Sequence, residues 1–197
     1  MPAPVDIKVY FNFRSPYCYL VSKSLHKIFD DYYASMVWRP LGGWSGRSSP
    51  DRAKIKIPIV RQDVSRFTRR LGIPFNPPPI ETEPTLAAKV SLAAEQEGLL
   101  QRYIIEVMRQ EWSEGRNIGE MDVLMAVGEE IGLGRGVIQR AAENPEFDRR
   151  LEENWQEAQQ DNVMGVPSFV VGDQVFWGND RVEFLREHLH DLRLRRI

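Results

Sequence analysis

The 197-residue sequence predicts an α/β fold in which a long helical insertion interrupts one small sheet. Three observations support this prediction. Residues 5–40 carry the pattern of a strand, a helix and a second strand. Helical periodicity then continues for roughly a hundred residues. Two further strands, joined by a two-residue turn at Gly172 and Asp173, are followed by a closing helix.

The junction between the first strand and the first helix lies at Ser15. Apolar and polar residues alternate up to Phe11, which predicts a strand. An apolar face that repeats every three to four residues over residues 17–28 predicts one helix. Ser15 then occupies the N-cap and Pro16 the first helical position. Because unpaired N–H groups and the positive end of the helix dipole lie beside Ser15, we expect an anion-binding site there, with an ordinary helix cap as the alternative.

Ser15 and Cys18 have the spacing of the two cysteines in the C-x-x-C motif of thioredoxin-like oxidoreductases, with a hydroxyl in place of the outer thiol. Cys18 is the only cysteine of the chain, so an internal cycle between a dithiol and a disulfide is impossible. If this site performs sulfur chemistry, the sulfur atom must arrive on a bound molecule.

The remaining elements follow in order. Residues 36–40 predict a second strand, parallel to the first in a right-handed crossover unit. Residues 45–58 are polar and basic, and they predict either a solvated loop or a cationic rim over an anionic ligand. Helices are predicted over residues 60–71, 85–97, 99–113, 121–131 and 137–143, and from Pro145 onwards. Strands at 168–171 and 174–176, a helix over 180–192 and a solvated basic tail at 193–196 complete the chain.

This order of elements is that of a thioredoxin-like fold with a large inserted α-helical domain. We expect residues 1–44 and 163–197 to form the thioredoxin-like domain and residues 45–162 to form the inserted domain. Val166 and Pro167 precede the third strand, where this fold keeps a cis proline opposite the first helix. Such a bend leaves the backbone N–H and C=O of Val166 free to pair with an extended peptide.

Composition argues against several classes of protein. No run approaches the ~20 apolar residues that span a bilayer, and the N-terminus has no basic and apolar regions of a secretory signal. A formal net charge of −2 argues against nucleic-acid binding by general electrostatics. The three histidines lie apart on helical segments, so no metal site is expected. With one cysteine and no export signal, the chain is expected in the cytoplasm.

Two blocks of residues resemble a known family. The first is F-x-F-x-S-P-Y-x-Y-L over residues 11–20, and the second joins G-V-P at residues 165–167 to W-G-N-D-R at residues 177–181. They look like the 2-hydroxychromene-2-carboxylate isomerases, which belong with the kappa-class glutathione transferases in the disulfide-oxidoreductase-like branch of the thioredoxin superfamily. The resemblance covers the chain end to end. It implies a glutathione-dependent isomerase of aromatic catabolism, in which a thiol adds to an unsaturated oxo-acid, permits rotation about a former double bond and leaves again.

The resemblance also implies roles for individual residues. Ser15 matches the serine whose hydroxyl lies against the glutathione sulfur, and Val166 matches the residue whose backbone pairs with the cysteinyl unit. The segment that holds the γ-glutamyl end corresponds to Trp177, Gly178, Asn179 and Asp180. Lys56 matches a family lysine, and we expect Lys56 and Arg52 to bind the acidic substrate.

The chain departs from the family pattern at two points. The residues before Lys56 lack the family's asparagine, and the segment after Pro74 lacks its tyrosine. Both departures lie on the side of the aromatic substrate, so the identity of that substrate stays open. Cys18 occupies a position that is usually small in this family, which implies a packing role.

Two alternatives to the isomerase remain. One is a kappa-class-like glutathione transferase, and the other is a non-catalytic module that binds peptides along the edge formed by Val166 and Pro167. Catalysis needs a closed, glutathione-sized cleft between Ser15, Val166 and Asp180, whereas the module needs an open apolar groove. The expected partner is a small aromatic oxo-acid rather than a nucleic acid or a membrane, and a homodimer is the candidate assembly.

Overall fold

One mixed sheet of four strands organises the computed structural model, which describes residues 3–43 and 50–196. The strand order across the sheet is β2-β1-β3-β4. The strands are β1 (Val5–Phe11), β2 (Ala34–Pro40), β3 (Ser168–Val171) and β4 (Gln174–Trp177). β2 runs parallel to β1, β3 runs antiparallel to β1, and β4 runs antiparallel to β3. The predicted crossover unit and the predicted hairpin at Gly172 are both confirmed.

Nine helices and one short 3₁₀ turn complete the regular secondary structure of the described residues. The helices are α1 (Pro16–Ser22), α2 (Leu25–Asp31), α3 (Pro50–Leu71), α4 (Thr85–Gln96), α5 (Leu100–Trp112), α6 (Met121–Ile131), α7 (Arg135–Glu143), α8 (Pro145–Gln160) and α9 (Val182–Asp191), and the 3₁₀ turn is Asn179–Arg181. None of the helices in residues 3–43 and 50–196 is long and apolar enough to cross a membrane.

The single helix predicted over residues 17–28 is instead two helices. Ser24 N–H bonds to Val21 O, three residues back, and Ser24 then leaves helical geometry at φ −134°. Buried side chains nevertheless continue across the break, with Leu20 before it and Ile28 after it. An unbroken apolar period therefore conceals a break between two helices.

α3 begins ten residues before the predicted start at residue 60. Pro50 is its first residue, where the absent N–H is tolerated, and Asp51 favours the first turn through its negative charge. Residues 51–59 look like a loop in the sequence because their described side chains are exposed, so no apolar period marks them. Residues 44–49, the first part of the predicted basic loop, lie outside the described residues.

The basic tail is docked through Leu194 and its backbone, although its arginine residues are exposed. Leu194 is buried, and its carbonyl accepts a hydrogen bond of 2.7 Å from Tyr33 N–H. Arg196 N–H donates to Asp31 O at 2.8 Å, and its Nε donates to Tyr32 O at 3.0 Å. One apolar side chain and an antiparallel bridge therefore hold the tail beside the end of α2. The run of arginines in the sequence gives no sign of this docking.

The helical segment packs directly on the sheet. Phe13 and Tyr103 meet edge to face with their ring centroids 5.8 Å apart, and Trp38 Nε1 donates to Ser91 Oγ at 3.0 Å. One large apolar cluster contains all three aromatic side chains. The division into residues 1–44 with 163–197 and residues 45–162 stays a prediction.

Ion pairs and a hydrogen bond attach α8 and the residue after it to the opposite face of the sheet. Lys8 Nζ lies 2.7 Å from Asp161 Oδ2 and 2.9 Å from Glu157 Oε1, and Tyr10 OH donates to Asp161 at 2.6 Å. Burial alone would raise the pKa of Glu157, but hydrogen bonds from Arg39 and Lys8 outweigh it and hold that pKa below its usual value. A carboxyl with a lowered folded-state pKa stabilises the protein at neutral pH and loses that contribution on acidification.

Gly128 allows α6 and α7 to approach closely. A Cβ atom there would overlap Ile138 Cδ1 and lie 2.8 Å from Leu133 O, whereas a Cβ at the exposed Gly136 would meet only the end of the Arg140 side chain. We expect Gly128→Ala to lower the free energy of unfolding by about 1–3 kcal/mol, and Gly136→Ala to raise it by up to about 1 kcal/mol. Urea titrations measure both, and an unchanged or more stable Gly128→Ala would contradict the packing argument.

Candidate functional site

A cavity of about 700 Å³ lies at the N-terminus of α1. The start of α1, one face of α3, the turn at residues 164–166 and the segment at residues 177–181 line it. All but one of the predicted site residues line this cavity, namely Ser15, Lys56, Val166, Trp177, Gly178, Asn179 and Asp180. The exception is Arg52, whose exposed side chain belongs to the first turn of α3 outside the cavity wall.

Ser15 caps α1, and its hydroxyl also bridges to the far end of the chain. Ser15 Oγ accepts a hydrogen bond of 3.4 Å from Cys18 N–H and donates one of 3.3 Å to Val166 O. Asn12 shapes the turn into the helix, because its side-chain oxygen accepts from Arg14 N–H and its carbonyl from Ser15 N–H. The predicted cap is therefore confirmed, and its hydroxyl lies beside the backbone of Val166.

Val166 and Pro167 are joined by a cis peptide bond, as the fold prediction implies. Trp177 packs on the neighbouring Gly165, where a Cβ atom would lie 2.7 Å from Trp177 Nε1. Only glycine fits that close approach without displacing the indole. The two segments of the second motif block, at residues 165–167 and 177–181, therefore contact each other in the cavity wall.

The segment at residues 177–181 presents two opposite charges. Asp180 Oδ2 lies 2.7 Å from Arg181 Nη1, and both residues line the cavity. Gly178 has a φ of +108°, and a Cβ there would lie 2.6 Å from Asp180 Oδ1, so glycine lets the carboxylate fold back over the chain. The closing helix begins at Val182 rather than at residue 180, because residues Asn179–Arg181 form the 3₁₀ turn.

One face of α3 forms the opposite wall. Its cavity-lining residues are Lys56, Val60, Asp63 and Phe67. They are spaced by three or four residues, as side chains on one helix face must be. The helix predicted over residues 60–71 starts after Lys56, so the sequence analysis does not place Lys56 on this face.

Tyr17 connects this wall to α1. Its hydroxyl donates to Asp63 Oδ2 at 2.9 Å, and both residues line the cavity. Burial, the hydrogen bond to Asp63 and the charges of Asp63 and Asp180 raise the pKa of Tyr17 to about 12. The phenol therefore stays protonated at neutral pH and acts as a donor.

Cys18 faces away from the cavity. Its side chain is fully buried, and it belongs to the large apolar cluster. Burial raises the pKa of the Cys18 thiol to about 12, against the opposing hydrogen bonds from the Asn12 backbone and Ser15. Within the part of the chain that the structure describes, no group of three histidine, cysteine, aspartate or glutamate side chains could hold a metal ion.

Comparisons with known proteins agree with this architecture. The family model of the DSBA-like thioredoxin domain matches residues 6–190. A 2-hydroxychromene-2-carboxylate isomerase of Pseudomonas putida is 26% identical over 187 residues, which cover 91% of each chain. A solved structure of a 2-hydroxychromene-2-carboxylate isomerase gives a TM-score of 0.82 at 24% identity and covers 95% of each chain. The cytosolic disulfide reductase DsbM from Pseudomonas aeruginosa, solved with GSH, gives 0.71 at 17% identity, covering 94% of this chain and 100% of that one. The predicted resemblance and the thioredoxin-like fold are thereby confirmed.

We expect Cys18 to take no part in redox chemistry. Because its thiolate forms only as the pH approaches about 12, the folded protein should resist iodoacetamide at neutral pH, whereas the urea-unfolded chain should be alkylated. The protein should also fail to reduce insulin disulfides, and Cys18→Ala should keep any glutathione-dependent activity. Mass spectrometry after alkylation measures the first point. A mixed disulfide between Cys18 and glutathione during turnover would contradict this assignment.

Proposed function

The chain belongs to the DSBA-like thioredoxin domain family, and from that premise we propose that it is a glutathione-dependent isomerase. The proposed reaction interconverts 2-hydroxychromene-2-carboxylate-type and trans-o-hydroxybenzylidenepyruvate-type acids of aromatic catabolism. The names of its relatives support an isomerase. The observation that carries the glutathione dependence is the Ser15 hydroxyl, which lies beside the Val166 carbonyl in a cavity with charges of both signs. A cytoplasmic location and a homodimeric assembly stay predictions.

The cavity suits a tripeptide thiol in size and in hydrogen bonding. Its volume of about 700 Å³ lies within the usual range of ~300–1,000 Å³ for small-molecule sites. The hydrogen bond from Ser15 to Val166 O, at 3.3 Å, is longer than the ~2.7–2.8 Å preferred between oxygens. A bound thiolate can therefore accept the hydrogen bond of the Ser15 hydroxyl in place of Val166 O, which then accepts one from a backbone N–H of the ligand. Every polar group keeps a partner in that exchange.

The charges of Asp180 and Arg181 suit the γ-glutamyl end. That end carries an ammonium and a carboxylate on one carbon, so its site must offer both signs within a few ångströms. Asp180 and Arg181 supply them, in contact with each other. Asp63 adds a second carboxylate near the same region, since both Asp63 and Asp180 act on the Tyr17 hydroxyl. This arrangement favours a zwitterion over an apolar peptide, and so argues against the non-catalytic module.

Ser15 would act as a hydrogen-bond donor rather than as a nucleophile. Glutathione, when bound, supplies a thiolate that adds reversibly to the unsaturated oxo-acid. The Ser15 hydroxyl would stabilise the charged sulfur and so lower its pKa, and each unit of pKa corresponds to ~1.4 kcal/mol. The polar contacts of Ser15 Oγ are Cys18 N–H and Val166 O, neither of which can remove its proton.

The α3 wall suits the second substrate. Val60 and Phe67 offer apolar surface for an aromatic ring, and Lys56 offers a cation for an acid. Arg52 lies outside the wall, so of the two predicted cations only Lys56 adds positive charge to it. Incubation with glutathione and a panel of hydroxychromene and benzylidenepyruvate acids tests the function. Isomerisation that requires glutathione supports it, a stable thioether product indicates a transferase, and no reaction with any acid overturns it.

We expect Ser15→Ala to lower the free energy of unfolding by about 1 kcal/mol at most, as the loss of one helix cap does. Turnover should fall by about 10- to 100-fold, because a hydrogen bond to a charged group contributes ~1.5–3 kcal/mol. The pKa of the bound glutathione thiol should rise, which ultraviolet absorbance of the thiolate measures. Asn144→Ala is the matched control, since Asn144 caps α8 outside the cavity. Equal turnover in wild type and Ser15→Ala would show that Ser15 acts only as a helix cap.

We expect Asp180→Asn to weaken glutathione binding by about 10- to 100-fold, because it removes a charge but keeps a hydrogen-bond acceptor. The melting temperature should change little, since the Asp180 side chain is half-exposed and its one ion pair within the described residues is with its neighbour Arg181. Asp173→Asn, at the exposed hairpin turn, is the control with the same chemical change. Calorimetric titration of glutathione decides the question, and equal dissociation constants for wild type and Asp180→Asn would exclude the assignment.

A further inference from the structure

Arg14 lies in the cavity wall directly before Ser15, yet neither the sequence motif nor the proposed glutathione contacts use it. Its side chain is only 17% exposed, and its ion-pair partner is the buried carboxylate of Glu111, 3.6 Å away. Arg14 and Ser15 are adjacent in the chain, and both line the same cavity.

The Arg14 guanidinium has unused hydrogen-bonding capacity. Its Nη2 donates to Pro79 O at 2.9 Å and to Ile80 O at 3.4 Å. Its Nη1 forms an ion pair with Glu111, in which Nη1 lies 3.6 Å from Oε1, longer than the ~2.7–2.9 Å of a charge-assisted hydrogen bond. Nε is buried and has no hydrogen-bond partner among the described residues. Burial lowers the pKa of Arg14, but an arginine in a protein keeps its proton. A cation with unused donors therefore borders the cavity.

Arg14 is also held in place before any ligand arrives. The guanidinium carbon lies 5.4 Å from the centre of the Trp112 ring, in cation–π contact, and the Pro79 carbonyl fixes its far end. A preorganised guanidinium loses little side-chain entropy when it binds an anion, and its planar fork matches a carboxylate. The other cations of the cavity differ from it, because Arg181 is bonded to Asp180 and Lys56 is exposed.

We propose that Arg14 is a specificity-determining residue that binds the carboxylate of the acidic second substrate. The proposal rests on the function proposed above and names the residue that selects for an acid. In an unsaturated 2-oxo-acid, three bonds separate the carboxyl carbon from the alkene carbon that a thiolate attacks. A carboxylate on Arg14 therefore leaves the reacting carbon close to Ser15, where the thiolate would lie. The Val60 and Phe67 side chains remain for the aromatic ring.

Substrates with and without the carboxylate charge test this role. We expect Arg14→Gln to lower kcat/KM for the benzylidenepyruvate acid by about 10- to 100-fold, mainly through KM, and for its methyl ester by less than about threefold. Arg14→Lys should restore part of the loss, and glutathione affinity should stay within about twofold of wild type. Arg102→Gln, an exposed arginine on α5 away from the cavity, is the control. Equal losses for the acid and the ester would show a merely structural role and overturn the proposal.

A binding measurement separates this proposal from the proposed function. trans-Cinnamate and neutral cinnamamide are titrated calorimetrically into the glutathione-saturated wild type and Arg14→Gln. The proposal expects cinnamate binding to weaken about tenfold or more in the variant and cinnamamide binding to stay unchanged. If wild type isomerises no acid but this difference persists, only the proposed reaction fails. If wild type isomerises the acids and cinnamate binds both proteins equally, the role of Arg14 fails.

Discussion

One hydrogen bond, from the Ser15 hydroxyl to the Val166 carbonyl, joins two segments that lie 151 residues apart in the sequence. The cavity exists because these segments meet: β1 delivers Ser15 to the start of α1, and β3, antiparallel to β1, begins just after the turn that contains Val166. The sheet therefore fixes the distance between the two groups. The Val166 carbonyl and the Ser15 hydroxyl both need hydrogen-bond partners. A ligand that breaks the bond between them must therefore supply a new partner to each.

The elements that the sequence predicts well depend on local rules. Alternating apolar and polar residues mark β1, and a capping residue followed by proline marks the starts of α1 and α8. Both signals can be recognised from neighbouring residues in the sequence. The first ten residues of α3 escaped prediction because an exposed helix needs no apolar period. The docked tail escaped it because its few contacts are made with residues 31–33, far away in sequence.

The residues of the site that lie in the two motif blocks can be predicted from the sequence, whereas their tertiary neighbours cannot. Ser15, Val166 and Asp180 stand in blocks that the family resemblance identifies, and the structure brings them to one cavity. Tyr17 and Asp63 meet only because α3 packs on α1, which no local pattern encodes. The charge of Arg52 suggests a binding role, yet Arg52 lies outside the wall, and nothing in the sequence distinguishes Arg14. The burial of a charged side chain is decided by the elements packed around it.

The amide hydrogen of Tyr33 reports whether the C-terminal tail is attached. Tyr33 N–H is bonded to Leu194 O, and Val5 N–H to Tyr33 O, so the backbone of Tyr33 contacts both ends of the described chain. Exchange of the Tyr33 amide hydrogen with solvent requires the tail to detach, whereas exchange of amides inside β1 requires the sheet to open. The ratio of the two exchange rates therefore measures how tightly the C-terminal segment is held while the rest of the fold stays intact.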